Sequence, residues 1–132
     1  MIIDLAKPTQ AGTFELPGGG TVSLRLLSAD DLKAIRKECS RTVVDYPLLG
    51  GQYRRFEHTE FDSDKWDILH WDRAITGWTD LFDKNGQPIP VTSENKVLLM
   101  ERVAVFQKAV NDGLEALRKA DAEATEEAAK NS

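Results

Sequence analysis

The sequence predicts an α+β fold that is mostly helical, with an N-terminal β-hairpin packed on a bundle of three main helices. Apolar and polar residues alternate on both sides of a glycine-rich break at residues 17–20, as in a β-hairpin with one buried face. Apolar residues then recur every three or four positions in three segments, roughly 29–44, 64–77 and 93–118. This is the period of amphipathic helices.

The glycine-rich break raises the question of a phosphate-binding loop. That motif ends in Gly-Lys-Ser or Gly-Lys-Thr and leads into a helix, whereas here residues 21–26 resume the alternation. The break is therefore interpreted as a hairpin turn. An additional short edge strand is compatible with the first residues, Ile2, Ile3 and Leu5.

Each predicted helix begins with a residue that can cap it. Ser28 precedes two aspartates, residues 62–64 supply caps for the second helix, and Thr92 or Ser93 begins the third. The inward positions of the hairpin and the helices give a predicted core: Phe14, Leu24, Leu26, Leu32, Ile35, Cys39, Ile68, Trp71, Ile75, Trp78, Leu99, Val103, Phe106 and Val110. Residues 1–118 form one predicted domain, and the Ala- and Glu-rich residues 119–132 form a charged helical or disordered tail.

A turn is predicted at Asp83-Lys84-Asn85-Gly86. Asn and Gly tolerate positive φ, and the Asp side chain can accept hydrogen bonds from the backbone that follows it. A calcium loop does not fit, because its first and twelfth ligand positions would be Leu81 and Thr92. Pro88 and Pro90 then keep the next segment extended.

Residues 46–63 are interpreted as a long loop, in which aromatic residues lie near Gly50-Gly51 and Arg54-Arg55. Three uses of such a loop are considered. Its aromatic side chains could pack onto the core, which we favour, because the chain is acidic and has only two adjacent arginines here. They could stack on unpaired nucleic-acid bases beside arginine, or the loop could clamp a peptide partner.

Composition limits the function classes. The chain has 132 residues, a formal net charge of -5 and a single cysteine. Without a concentrated basic patch, nucleic-acid binding is not expected. We also expect no disulfide within the chain, no signal peptide and no membrane-spanning segment, as in a soluble cytoplasmic protein.

No local signal of catalysis or cofactor binding is present. The sequence lacks a nucleophile motif, a metal-ligand cluster and a phosphate cradle. His70 has Asp67 three residues before it and Asp72 two residues after it, so only Asp67 can share its helix face. We therefore expect no enzyme, no cofactor and no metal, and keep a small hydrolase that uses scattered Asp and His residues as a minor alternative.

Four apolar residues fall outside the predicted core stripes. Trp66 and Leu69 lie off the stripe of the second helix, and Leu98 and Val105 form part of a second stripe on the long helix. Extra apolar stripes in a small domain are more often core than interface, but these four are the candidate protein-binding residues.

The chain resembles the small tail assembly chaperones of long-tailed bacteriophages. The resemblance depends on FELPGGGTVSLRLLS at residues 14–28, on ITGWTDLFDKNGQPIPVTSENKVLLME at residues 75–101, and on the helix with Phe106 and its charged tail. These stretches cover most of the chain and are structural in character. They transfer no catalytic residue.

The resemblance implies a function. Such chaperones are non-virion proteins of the infected or lysogenic bacterial cell, and they act in its cytoplasm. They bind the tape measure protein, keep it soluble and help recruit tail tube subunits, and a longer form is often made by programmed frameshifting. The alternative is a structural virion subunit of the tail or the head–tail connector.

Overall fold

The computed structural model describes residues 10–130, apart from the side chains of Thr125 and residues 127–130. The predicted α+β class and the N-terminal hairpin are confirmed, whereas the edge strand considered at Ile2, Ile3 and Leu5 lies outside the described residues. The elements in chain order are β1 (Ala11–Glu15), β2 (Thr21–Arg25), α1 (Ala29–Cys39), β3 (Ser40–Asp45), β4 (Leu48–Leu49), β5 (Gln52–Tyr53), β6 (Phe56–Phe61), α2 (Ser63–Ala74), β7 (Ile75–Thr79), α3 (Ser93–Arg102) and α4 (Ala104–Lys130).

The described chain divides into two compact units. The first unit comprises residues 10–28 and 71–130, and the second unit comprises residues 29–70. The first unit contains an antiparallel sheet with strand order β1-β2-β7, and α4 contacts both strands of the N-terminal hairpin. Its buried core consists of Leu16, Val22, Leu24, Ala74, Ile75, Trp78, Met100, Phe106, Val110, Leu114 and Leu117.

The sheet and α4 come closest at Gly113. A Cβ atom at this position would lie 2.7 Å from Cδ1 of Leu24 and 2.9 Å from Cδ2 of Phe14. Only glycine therefore lets the hairpin side chains reach the helix backbone. Nearby, the rings of Trp78 and Phe106 meet edge to face with centroids 5.9 Å apart, a favoured aromatic geometry.

The predicted turn at residues 83–86 is confirmed. The Asp83 carboxylate accepts hydrogen bonds from the backbone N–H of Asn85 at 2.8 Å and of Gln87 at 3.0 Å, and Gly86 has φ +75. The extended segment that follows is held to the core, because Trp78 Nε1 donates to the carbonyl oxygen of Ile89 at 2.8 Å. This bond satisfies the polar end of a side chain that is otherwise buried.

Polar contacts join the end of α2 to the start of α3. The carboxylate of Asp72 accepts hydrogen bonds from Ser93 Oγ at 2.6 Å and from Lys96 Nζ at 3.3 Å, and the Thr92 hydroxyl caps α3 by accepting from the N–H of Asn95. The Ser93 hydrogen bond, helped by the Lys96 charge, holds the pKa of Asp72 below its ordinary value.

The predicted helix over residues 29–44 is wrong beyond Cys39. Residues 40–45 form strand β3 instead. The segment contains Thr42, Val43 and Val44, three consecutive β-branched residues, which lose side-chain freedom in a helix and pack well in a strand. Val43 continues the helical spacing of apolar residues, but the preference of these three β-branched residues for extended structure outweighs that spacing.

The predicted helix over residues 64–77 ends early, at Ala74, and β7 follows. Ser23 pairs with Gly77 and Leu24 with Ile75, so Thr76 is an extra residue in β7. This bulge lets Ile75 and Trp78 both face the core. A bulged strand thus reproduces the three-residue spacing that we assigned to a helix.

The predicted single helix over residues 93–118 is divided at Val103, which has extended backbone angles of φ -115 and ψ 98. After this break α4 continues to Lys130, well beyond residue 118. The break brings Met100 and Phe106 into the core and leaves Val103 41% exposed. Ile68 is 39% exposed. The prediction that Val103 and Ile68 belong to the core is therefore wrong.

The other predicted core residues are buried or partly buried. The fully buried ones are Leu24, Ile35, Cys39, Ile75, Trp78, Phe106 and Val110. The partly buried ones are Phe14, Leu26, Leu32, Trp71 and Leu99.

Replacing Gly113 with alanine should destabilise the first unit. The new methyl group would press on Leu24 and Phe14, and overpacking costs about 1–3 kcal/mol, against a helix-propensity gain of up to about 1 kcal/mol. We expect a net loss of about 1–2 kcal/mol in urea unfolding. The control is Gly77→Ala, where a Cβ meets nothing within 4 Å. Unchanged stability of Gly113→Ala would contradict the close approach.

Replacing Asp72 with asparagine should lower stability in a pH-dependent way. Because the folded state has the lower pKa, the ionised carboxylate stabilises the fold above the unfolded pKa of about 3.9, and this contribution is lost as pH falls through the folded pKa. The carboxylate is partly exposed, so we expect a difference of about 0.5–1 kcal/mol at pH 7. Urea unfolding at about pH 2.5 should show a much smaller difference, and an equal difference at both pH values would contradict this assignment.

Candidate protein-binding surface

Residues 40–61 of the second unit form one long β-hairpin, which we call the arm. Asp45 lies opposite Phe56 in the ladder of β3 and β6, and Leu48 lies opposite Tyr53 in the ladder of β4 and β5. Both ladders therefore have the same register, and Pro47 O accepts a hydrogen bond from Arg54 N between them at 3.2 Å. The arm is thus a continuous ribbon from its base at residues 40 and 61 to its tip.

The sequence of the tip explains its turn. Gly50 and Gly51 lie between the paired residues Leu49 and Gln52, with φ values of +59 and +81. A two-residue turn with positive φ at both positions matches the twist of the flanking strands, and glycine adopts it without strain.

One face of the arm carries a polar network. Arg41 donates two hydrogen bonds to the Glu60 carboxylate, at 3.0 and 2.7 Å. The ring nitrogens of His58 lie 3.6 Å from Asp45 and 3.6 Å from Glu60, and the His58 ring contacts that of Phe56. The Arg41 hydrogen bonds hold the pKa of Glu60 below its ordinary value. The charges of Arg41 and Glu60 are therefore paired with each other.

The opposite face of the arm is apolar toward the tip. Because side chains alternate along extended strands, Val44, Tyr46 and Leu48 share this face, and Tyr53 lies across from Leu48. Tyr46 is 61% exposed, Leu48 59% and Tyr53 77%. We call Val44, Tyr46, Leu48 and Tyr53 the apolar face of the arm.

Exposed apolar residues are concentrated on the arm. Twelve large apolar side chains are exposed among the described residues, and seven of them belong to residues 40–61. Such a concentration is typical of interaction surfaces, whereas single exposed apolar residues are ordinary. Full burial of a large apolar side chain is worth about 1.5–3 kcal/mol; because these side chains are already partly buried, each can contribute only part of that value, from which the costs of association are subtracted.

The backbone of the arm also has open edges. The Arg54 N–H donates to the carbonyl oxygen of Pro47, so these two residues form a hydrogen-bonded pair. In an antiparallel ribbon, the residues that lie between successive hydrogen-bonded pairs have their N–H groups on the outer edge. These residues include Val44, Tyr46 and Leu48. A partner that covers the apolar face and also extends over this edge would shield these amides.

The structure places Trp66 and Leu69 in the second unit, on α2, and both are partly buried. The Trp66 ring lies 5.8 Å from that of Phe61 and 6.5 Å from that of His70, and the Arg36 guanidinium lies 5.9 Å from its centroid. Trp66 thus packs within the second unit, beside the base of the arm.

Leu98 and Val105 lie in the first unit and line two different grooves. Leu98 shares its groove with Ile89 and Pro90. Val105, which is 48% exposed, lies in a groove of about 330 Å³ with Phe14 and Pro17. The helix break at Val103 interrupts the stripe that joined these two residues in the sequence, so the structure does not bring them together.

A third groove lies at the base of the arm and has charged walls. It has a volume of about 540 Å³ and is lined by Glu38, Cys39, Ser40, Arg41, Glu60, Phe61, Asp62, Ser63 and Lys65. Its charges have both signs, and Arg41 is already bound to Glu60. Among residues 10–130 we find no group of three His, Cys, Asp or Glu side chains that could hold a metal ion.

The interpretation of residues 46–63 as a loop packed onto the core is wrong. Tyr46, Tyr53, Phe56 and Phe61 are all more than half exposed, and most of the segment is strand. The signal that would have found the arm is the Gly50-Gly51 pair, which is a two-residue hairpin turn. The apolar residues on both sides of it alternate less clearly than those of the N-terminal hairpin.

Comparison of the chain with protein-family models, curated proteins and solved structures finds no match. In the part of the chain that the structure describes, no helix has the length and apolar character needed to cross a membrane.

Proposed function

We propose that this chain is a phage tail assembly chaperone that binds the tape measure protein and keeps it soluble. The observation that carries the proposal is the arm, which presents a concentrated apolar surface outside the core of the first unit. A chaperone of this kind needs such a surface, because it must cover apolar segments of its partner until assembly.

The residue types of the arm suit protein binding. Tyrosine and arginine are enriched among the residues that dominate binding energies at protein interfaces, and residues 46–55 contain Tyr46, Tyr53, Arg54 and Arg55. The net charge of -5 supports solubility while this surface is exposed. This combination favours a binding protein over an enzyme.

The partner itself is proposed from the resemblance. The stretches that resemble tail assembly chaperones build the hairpin, the turn at residues 83–86 and the start of α3, all in the first unit. In this proposal the first unit is the scaffold, tail tube subunits are a further partner, and the protein acts in the cytoplasm of the bacterial host. No cofactor takes part.

Co-expression with the tape measure protein of the same phage tests the proposal. We expect a soluble complex that survives affinity capture and size-exclusion chromatography, with a tape measure protein that is insoluble when expressed alone. Failure to form a complex, with both proteins folded, would contradict the proposal. Detection of the chain in purified particles would then identify it as a structural virion subunit.

Changing two residues of the arm should weaken this complex. Leu48→Ser with Tyr53→Ser removes one exposed cross-strand pair, and the loss of two central interface residues should raise the Kd at least about 30-fold. The matched control is Phe82→Ser with Val91→Ser, two exposed apolar residues of the first unit, which should leave the Kd unchanged. Circular dichroism would check that both variants fold.

A third variant tests whether the partner binds the first unit and not the arm. Leu98→Glu with Val105→Glu changes the two grooves of the first unit. If this variant loses binding and the arm variant keeps it, the contact lies on the first unit, and the arm is not the binding element.

A further inference from the structure

We infer that the arm selects a partner segment in which acidic residues lie beside apolar ones. This inference rests on the proposed function, because it takes the arm as the binding element, and it adds the chemistry by which the partner is recognised. The occupant of the apolar face is an amphipathic, acidic polypeptide segment.

The tip of the arm, residues 46–55, is positively charged. Residues 46–55 contain Arg54 and Arg55 and no acidic residue, in a chain whose net charge is -5. Arg54 makes no ion pair within the described residues, and Arg55 is paired with Glu57. That pair is largely exposed, at 62% and 48%, and exposed pairs contribute little. Both guanidinium groups can therefore bind carboxylates of a partner.

Arg55 lies beside the apolar face of the arm. Arg55 follows the same alternation as Tyr53 and Glu57, so it borders the apolar face, and Arg54 lies on the opposite side of the same strand. Guanidinium groups bind carboxylates in a planar, bidentate geometry. A segment that buries its apolar residues on Tyr46, Leu48 and Tyr53 thus places a neighbouring carboxylate next to Arg55.

Single-stranded nucleic acid is the other ligand that tyrosine and arginine can bind. The charges of the whole arm disfavour it. Arg41, Arg54 and Arg55 are balanced by three acidic residues, Asp45, Glu57 and Glu60. Binding to a phosphate backbone gains its free energy from several cationic contacts, whereas a single carboxylate of a segment on the apolar face needs only Arg55.

Fluorescence anisotropy with the full chain tests this inference. The probes are two fluorescein-labelled amphipathic peptides with leucine at the same positions, and with glutamate in one and lysine in the other at the polar positions. At low ionic strength we expect the glutamate peptide to bind at least about 10-fold more tightly, and we expect added salt to reduce the difference.

Two charge variants make the assignment specific. Arg54→Glu with Arg55→Glu should abolish or invert the preference. Lys84→Glu with Lys119→Glu makes the same change of net charge on exposed residues of the first unit, and should preserve most of it. Leu48→Ser with Tyr53→Ser should weaken binding of both peptides.

Several outcomes would overturn the inference. These are equal affinity for the two peptides, a preference that survives the arginine changes, and tighter binding of a single-stranded thymidine oligonucleotide than of the glutamate peptide. If any of them occurs while the tape measure complex forms, the proposed function stands and the inference fails. A clear glutamate preference without a tape measure complex would instead keep the inference and reject the proposed partner.

Discussion

The packing of the N-terminal hairpin on α4 at Gly113 is the constraint on which the first unit depends. Leu24 and Phe14 occupy the space that any side chain at this position would need. The hairpin fixed in this way pairs with β7, and the bulge in β7 brings Trp78 against Phe106. The Trp78 side chain then holds the Ile89 segment that leads into α3. The close contact at Gly113 thus fixes the hairpin against α4, and the pairing with β7 and the Trp78 hydrogen bond connect the hairpin to the Ile89 segment.

The arm is organised by a different principle. Its order comes from a backbone ladder with a single register and a glycine turn, together with the polar network around Arg41 and Glu60. A two-stranded ribbon gains little stability by itself, because it cannot bury both of its faces. The face that carries Tyr46, Leu48 and Tyr53 is therefore exposed in the free chain, and under the proposed function its burial against a partner would add to the stability of the ribbon.

The local parts of the fold followed from the sequence. The hairpin at residues 17–20, the Asp83 turn and the Thr92 cap each depend on residues close in sequence. Two errors, at residues 40–45 and at the Gly50-Gly51 turn, were made although local signals were present, whereas the others arose where distant contacts decide. A bulge gave Ile75 and Trp78 a helical spacing, and a break at Val103 divides the last helix between the buried residues Met100 and Phe106. The candidate residues Trp66, Leu69, Leu98 and Val105 were chosen for their position on ideal helices, whereas exposure, which revealed the arm, depends on the whole fold.

Hydrogen–deuterium exchange of the free chain and of its complex with the tape measure protein tests most directly whether the arm is the binding element. The amides of Val44, Tyr46 and Leu48 lie on the open edge of the ribbon and should exchange fast in the free chain. The account predicts that binding slows exchange across residues 44–55, while the already protected core of the first unit changes little. A complex in which these amides exchange as fast as in the free chain, with new protection confined to the first unit, would contradict it.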